Sequence, residues 1–414
     1  MAGELILQTG FNKPYLLNDS NEKQIKACFS IKPSDEVRME LNNIDSNQGV
    51  DLCIVLDVSD SMSKYLDRTD IQPTGETGID EYGKVVHYCT GGRSRLDVAV
   101  DSAIKIAQMV RPEDNISCII YADNPSIIFK NYSGRDKDRI IEQLEDIPKK
   151  MIGNNTNISA AIREARGILV NNKDLRPKKI LFLTDGVPTV DKPEDGIREG
   201  EYLAEYNISI ECLGLDKDVD LLYLEQIAAP SNGSANFITQ AHEVERLFIK
   251  IFEKTKSVII TDAKLKLTFS NAIRVTDHYR GTPENVYLGK VKLDKTRSFV
   301  INLGQIQKNQ LYKYYFNATV PAQEGYAGPL RIAKAELEYK IPAISGNQPI
   351  SVTQNVSLEF GPNERFASEV DSDVEVGYML AEIKKLEREA KEAADRNDKK
   401  VTVNRYEKII SIYI

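Results

Sequence analysis

Asp57, Ser59 and Ser61 stand at alternate positions directly after the apolar run Leu52-Cys-Ile-Val-Leu56. Carboxylate and hydroxyl oxygens in this spacing suit a hard divalent cation such as Mg²⁺, with Mn²⁺ or Ca²⁺ as alternatives, whereas Zn²⁺ or copper would call for imidazole or thiolate. The chain has three His in 414 residues. Other chemistries fit this stretch less well. A phosphoryl-accepting Asp also ends a strand, but the second Asp that many such phosphatases place two residues later is Ser59 here. There is no Gly-rich phosphate loop ending in Lys-Ser or Lys-Thr. His87 and Cys89 lie close together, yet one His and one Cys do not make a four-ligand zinc site.

The pattern Asp57-x-Ser59-x-Ser61 resembles the metal-ion-dependent adhesion site of von Willebrand factor type A domains. Gly153-Asn-Asn-Thr156-Asn-Ile-Ser-Ala-Ala-Ile looks like that family's second metal loop, and Leu183-Thr-Asp185-Gly-Val-Pro-Thr189 looks like its third. The resemblance implies Ser59, Ser61 and Thr156 as hydroxyl ligands, with Asp57 and Asp185 as carboxylates that meet the ion directly or through water. Neutral hydroxyls leave much of the ion's double charge uncompensated, so an open octahedral position attracts a carboxylate from a partner's Glu or Asp. Two residues depart from the family pattern. Asp60 stands where Gly is common between the serines, and Asn155 stands where Gly often precedes the threonine; Asn tolerates the left-handed conformation. No His occurs in or beside the three loops to activate a serine, and no general base with a positioned partner can be named, so an enzyme is not expected.

These residues need a scaffold that brings distant loops together. The run ending at Asp57 and a second one, Lys179-Ile-Leu-Phe-Leu-Thr184 ending at Asp185, read as strands of a parallel sheet buried on both faces. Open α/β sheets place ligands beyond the carboxyl ends of such strands. Ser94-Arg-Leu-Asp97 resembles a capping box, and Leu96, Val100, Ala103, Ala107 and Val110 continue it as a helix that stops near Arg111-Pro112. Strand and helix alternate over 50–256, which predicts an α/β domain with a doubly wound, mostly parallel sheet. Within it, 63–93 reads as a polar insertion loop on the rim of the metal site.

From 257 to 365 the period changes to that of half-buried antiparallel strands, as in a β-sandwich. Residues 1–49 carry short alternating pieces and are predicted to pair with that sandwich, making the α/β domain an insertion into it. Residues 370–414 are helical, with Met379, Ile383, Leu386, Ala390 and Ala393 as one stripe and Tyr406, Ile409, Ile410 and Tyr413 as another; a helical hairpin is predicted. Chains that join a sandwich to a type A domain resemble the inter-α-trypsin-inhibitor heavy-chain and calcium-activated-channel-regulator-like group.

A net charge of −8 argues against a general nucleic-acid binder and gives no attraction to an anionic membrane. Met1 to Leu17 does not read as a signal peptide, and no uncharged apolar run is long enough to span a bilayer. The five cysteines, Cys28, Cys53, Cys89, Cys118 and Cys212, are odd in number and widely spaced, which favours free thiols in the reducing cytoplasm. The function expected from the sequence is a cation-dependent protein-binding module. The alternative is an assembly scaffold whose contacts, self-association included, are made by the sandwich, the insertion or the terminal helices.

Overall fold

The computed structural model describes residues 5–43, 49–67, 71–79, 83, 85–149, 153–172, 176–216, 219–345 and 348–413. The chain divides into two compact units, Asn47–Ser257 on one hand and Met1–Ser46 with Val258–Ile414 on the other. Among the described residues no helix is long and apolar enough to cross a membrane.

The discontinuous unit begins with β1 (Leu5–Phe11), β2 (Tyr15–Leu17), β3 (Lys23–Pro33) and α1 (Asp35–Asn43). The sequence reading had strands alone before residue 50. The helix forms because the Ser34 hydroxyl caps the Val37 amide at 3.2 Å and two acidic residues, Asp35 and Glu36, occupy the first turn.

The contiguous unit opens with β4 (Asp51–Asp57). The insertion on its rim is not a structureless loop but contains β5 (Tyr65–Asp67), β6 (Gln72–Ile79), β7 (Val85–Thr90) and β8 (Arg93–Ser94). β6 and β7 form an antiparallel ribbon, and β5 pairs with β8 at its base. Pro73, Gly75 and Gly78 hid the ribbon, since Pro and Gly are depleted in strands. Then follow α2 (Arg95–Met109), β9 (Asn115–Tyr121), β10 (Pro125–Ser133), α3 (Lys137–Glu145), α4 (Ile158–Val170), β11 (Lys178–Thr184), α5 (Pro193–Glu205), β12 (Ile208–Leu215), α6 (Leu221–Ala228), β13 (Ala235–Ile238) and α7 (Ala241–Lys256).

The main sheet runs β10-β9-β4-β11-β12-β13, with β10 an antiparallel edge and all other pairings parallel. Because side chains alternate along a strand, β4 serves two cores. Leu52, Ile54 and Leu56 pack with residues of α2, α3 and α7, whereas Cys53 and Val55 pack with residues of α4 and α6. Each fully buried Leu or Ile contributes about 1.5–3 kcal/mol. The strand order reverses between β4 and β11, a crevice-forming switch point at their carboxyl ends.

The other unit continues with β14 (Val258–Phe269), β15 (Arg274–Thr282), β16 (Val286–Lys290), β17 (Ser298–Gln307), β18 (Tyr312–Val320), β19 (Gly328–Lys340), α8 (Pro342–Ser345), β20 (Ile350–Gly361), α9 (Glu364–Ala367), α10 (Ser372–Asp395) and α11 (Lys399–Tyr413). Its strands make two five-stranded sheets, β1-β3-β18-β15-β16 and β17-β14-β19-β20-β2, which share one apolar core. β3 pairs with β18 from Ile31↔Tyr312 to Lys23↔Val320, so the first residues of the chain complete a sheet whose other strands come much later. α10 lies on β3, β15, β16 and β18, where Val374, Tyr378 and Ala381 bury against Cys28, Tyr279 and Tyr315. Tyr378, rather than the neighbouring Met379, belongs to this buried stripe. α11 folds back on α10.

Candidate metal centre

Asp57 is the last residue of β4 and is fully buried. Its two oxygens are divided: Oδ1 accepts the Ser59 amide at 2.9 Å, and Oδ2 accepts the Thr184 hydroxyl from the end of β11, also at 2.9 Å. A short 3₁₀ turn, Asp60–Ser63, then turns the chain so that Ser59 Oγ and Ser61 Oγ lie 3.1 Å apart. Ser61 Oγ donates to Asp185 Oδ1 at 2.6 Å. Asp57, Ser59, Ser61 and Asp185 are thus drawn together at the switch point, where β4 and β11 end side by side.

Thr156 comes from a third segment. An isolated parallel bridge between Ser59 and Gly153 sets that segment beside the first loop, and the Asn157 amide bonds the Ala122 carbonyl at 2.9 Å. Thr156 is exchanged with Thr189 on the third loop: its amide donates to Thr189 Oγ1 at 2.8 Å, and its carbonyl accepts the Thr189 amide at 3.0 Å. A Cβ placed on Gly186 would come to 4.0 Å from Thr156 Oγ1, so the hydroxyl stands beside the residue after Asp185. Thr156 is thus held against the third loop, while the hydrogen bonds that draw the other four residues together do not include its hydroxyl.

The two departures from the family pattern have separate outcomes. Asp60 is exposed on the rim, pointing its charge into solvent. Asn155 does not use left-handed dihedrals; its side-chain amide instead bonds Asp123 Oδ1. Of the candidate zinc residues, the Cys89 side chain lies outside the described residues, and among those described no three His, Cys, Asp or Glu gather as a metal cluster. A cation at these strand ends would therefore be held by hydroxyls together with two carboxylates, an all-oxygen set that fits a hard divalent ion.

Electrostatics add a residue that sequence reasoning missed. Arg95, the first residue of α2, is 2% exposed and donates from Nη1 to Asp185 Oδ2 at 2.6 Å. Its Nη2 bonds Asp216, at the end of β12. Burial works against the guanidinium's charge, but Asp185 and Asp216 outweigh it and hold its pKa above the ordinary value. The Asp57 carboxyl is pushed up to about 6 by burial; the Ser59 hydrogen bond opposes this, and the Asp185 charge adds to it. The capping box expected from Ser94 and Asp97 is present, with Asp97 N donating to Ser94 Oγ at 3.0 Å and Ser94 N to Asp97 Oδ2 at 2.9 Å. It fixes the turn from which Arg95 enters the interior.

Comparison with known proteins agrees with this fold. The family model of the von Willebrand factor type A domain matches residues 52–187. An uncharacterized protein of Synechocystis sp. is 22% identical over 378 residues, covering 84% of this chain and 76% of that protein. Human inter-alpha-trypsin inhibitor heavy chain H2 is 24% identical over 224 residues, which is 50% of this chain but 23% of that protein. Among solved structures, a von Willebrand factor type A protein from Catenulispora acidiphila superimposes with a TM-score of 0.70 at 13% identity, covering 98% of this chain and 85% of that one. The ArnB paralog VWA2 from Sulfolobus acidocaldarius gives a TM-score of 0.59 at 15% identity, with 100% and 91% covered. Over residues 52–187 the chain matches the von Willebrand factor type A domain, and the unit that contains them has the fold of such domains.

Proposed function

We propose that this chain is a divalent-cation-dependent protein-binding module in which Asp57, Ser59, Ser61, Thr156 and Asp185 hold Mg²⁺, and in which a Glu or Asp of a protein partner completes the ion's shell. The observation that carries this reading is the convergence of the serine hydroxyls and both carboxylates at the β4/β11 switch point, through Ser59–Ser61 at 3.1 Å and Ser61–Asp185 at 2.6 Å. The ion, when bound, supplies an electrophilic position for the partner's carboxylate. The chain's own residues fix the hydroxyls around that position and keep the strand ends in register. Buried free thiols at Cys28, Cys53, Cys118 and Cys212 accord with a reducing, cytoplasmic setting.

Calorimetric titration of metal-stripped protein with Mg²⁺, Mn²⁺ and Ca²⁺ tests the site. Saturable one-site binding that disappears in a folded Ser59→Ala, Ser61→Ala double variant is the expected result. Equal binding by the double variant would place the ion elsewhere and overturn the assignment.

A second reading, an assembly scaffold, is favoured by one observation. Val403, Tyr406, Ile410 and Tyr413 on α11 are exposed and follow one another at helical spacing, forming an apolar row. Light scattering on a Val403→Glu, Ile410→Glu variant distinguishes the two: a fall in assembled mass with metal binding retained supports the scaffold.

A further inference from the structure

Arg95 is a buried cation placed against one of the two carboxylates of the metal centre. The Asp185 side chain is 0% exposed, so solvent does not screen its pairing with Arg95. The second partner, Asp216, has a side chain 37% exposed, and water weakens that pairing. Within the interior the arginine therefore cancels about one of the two negative charges that Asp57 and Asp185 would otherwise present. It also occupies Asp185 Oδ2, while Oδ1 is engaged by Ser61. A centre so arranged offers a cation many oxygens but little net negative charge.

We infer that Arg95 is the residue that makes metal binding depend on an outside carboxylate. This rests on the metal-centre reading above. With Arg95 in place the chain's own residues leave a divalent ion under-neutralised, so the ion binds weakly alone and tightly when a carboxylate arrives. By reciprocity the carboxylate binds weakly without the ion. The partner's acid and the metal are thereby captured together, and α2, whose first turn carries Arg95 at the foot of the β5–β8 pair, becomes the element that sets this coupling.

The test measures Mn²⁺ binding by electron paramagnetic resonance, with and without saturating acetate, at one pH. Wild-type protein should bind Mn²⁺ more tightly when acetate is present. Arg95→Gln should bind Mn²⁺ alone about tenfold more tightly than wild type, as expected for removal of one nearby buried charge, and should gain little from acetate. Arg95→Lys, which keeps the charge, should restore the acetate dependence. Asp216→Asn, whose side chain is 37% exposed, keeps a polar partner for Arg95 and shifts the charge the other way: Mn²⁺ alone should bind more weakly, with a larger acetate effect. This variant decides the matter if Arg95→Gln fails to fold. Unchanged Mn²⁺ affinity and acetate response in Asp216→Asn, and in Arg95→Gln where it folds, would overturn the inference while leaving the metal site intact. Absence of Mn²⁺ binding by wild type both with and without acetate would instead remove the metal-centre reading itself.

Discussion

Thr184 donates its hydroxyl to Asp57 Oδ2 at 2.9 Å, joining the carboxyl ends of two neighbouring parallel strands inside the protein. Both groups are fully buried. Thr184→Val keeps the shape and removes the donor, leaving a buried carboxyl with one partner fewer. Such a loss costs about 1–3 kcal/mol. Urea unfolding of the metal-free protein should show a lower midpoint for the variant, and a midpoint equal to wild type would mean that the bond contributes nothing to stability.

Lys179 on β11 and Glu211 on β12 form a buried ion pair at 2.8 Å, and Glu211 also accepts the Ser234 amide at 3.0 Å. Burial raises the Glu211 pKa, but Lys179 and Ser234 more than reverse this and hold it below the usual carboxylate value. Lys179→Met strands the carboxylate and should cost about 3–5 kcal/mol. Adding Glu211→Gln removes the stranded charge while keeping an acceptor for Ser234, so the double variant should recover much of the loss. A double-mutant cycle showing simple additivity would disprove this coupling.

What the sequence revealed depended on how each element is covered. β4 and β11 were readable because a central parallel strand is buried on both faces and so writes a continuous apolar run. α2 was readable from its cap. Arg95 was not, because an Arg in the first turn of an amphipathic helix reads as solvent-facing, and its partners Asp185 and Asp216 lie 90 and 121 residues away. β15 and β16 are hard to read from the sequence for a related reason. Asp277, His278, Tyr279 and Arg280 are all buried, since one sheet face meets the sandwich core and the other lies near α10, where Lys385 pairs with Asp277 at 2.9 Å. Polar residues with distant partners break the alternation that marks a half-exposed strand. Of the proposed ligands, Asp57, Ser59 and Ser61 could be placed from local spacing; Thr156 and Asp185 needed the family resemblance, because only the fold brings their loops to β4.

His278 gives the sandwich unit a measurable pH dependence. Burial pulls its imidazole down to about 4, against the opposing Gly289 hydrogen bond at 3.0 Å and the Asp277 charge. Above pH 6.5 the ring is neutral in both folded and unfolded chains and has no effect. Between about 6.5 and about 4 the unfolded chain takes the proton first, so stability falls as pH falls. Below about 4 the loss levels off near ~3 kcal/mol. Calorimetric unfolding of wild type and His278→Phe from pH 7 to 4 should show a shallower decline in the variant. Parallel profiles would remove His278 as the cause.

Gly200 sets two effects of opposite sign against each other. It lies inside α5, where replacing Gly by Ala favours a helix by about 1 kcal/mol through propensity alone. However, a Cβ at Gly200 would approach the Ile227 carbonyl oxygen of α6 to 2.2 Å and its carbonyl carbon to 2.9 Å. These are backbone atoms of a packed helix, which cannot swing aside as a side-chain tip can, so α5 must move away from α6 and forfeit contacts around the buried Leu203 and Ile227. Overpacking of this kind costs about 1–3 kcal/mol, which exceeds the propensity gain. Gly200→Ala should therefore lower the unfolding midpoint. Ala at Gly167 on α4, where an added Cβ meets nothing within 4 Å, should raise it. The missing side chain at Gly200 is what allows the two helices to touch; a stabilising Gly200→Ala would show that this close approach is not required.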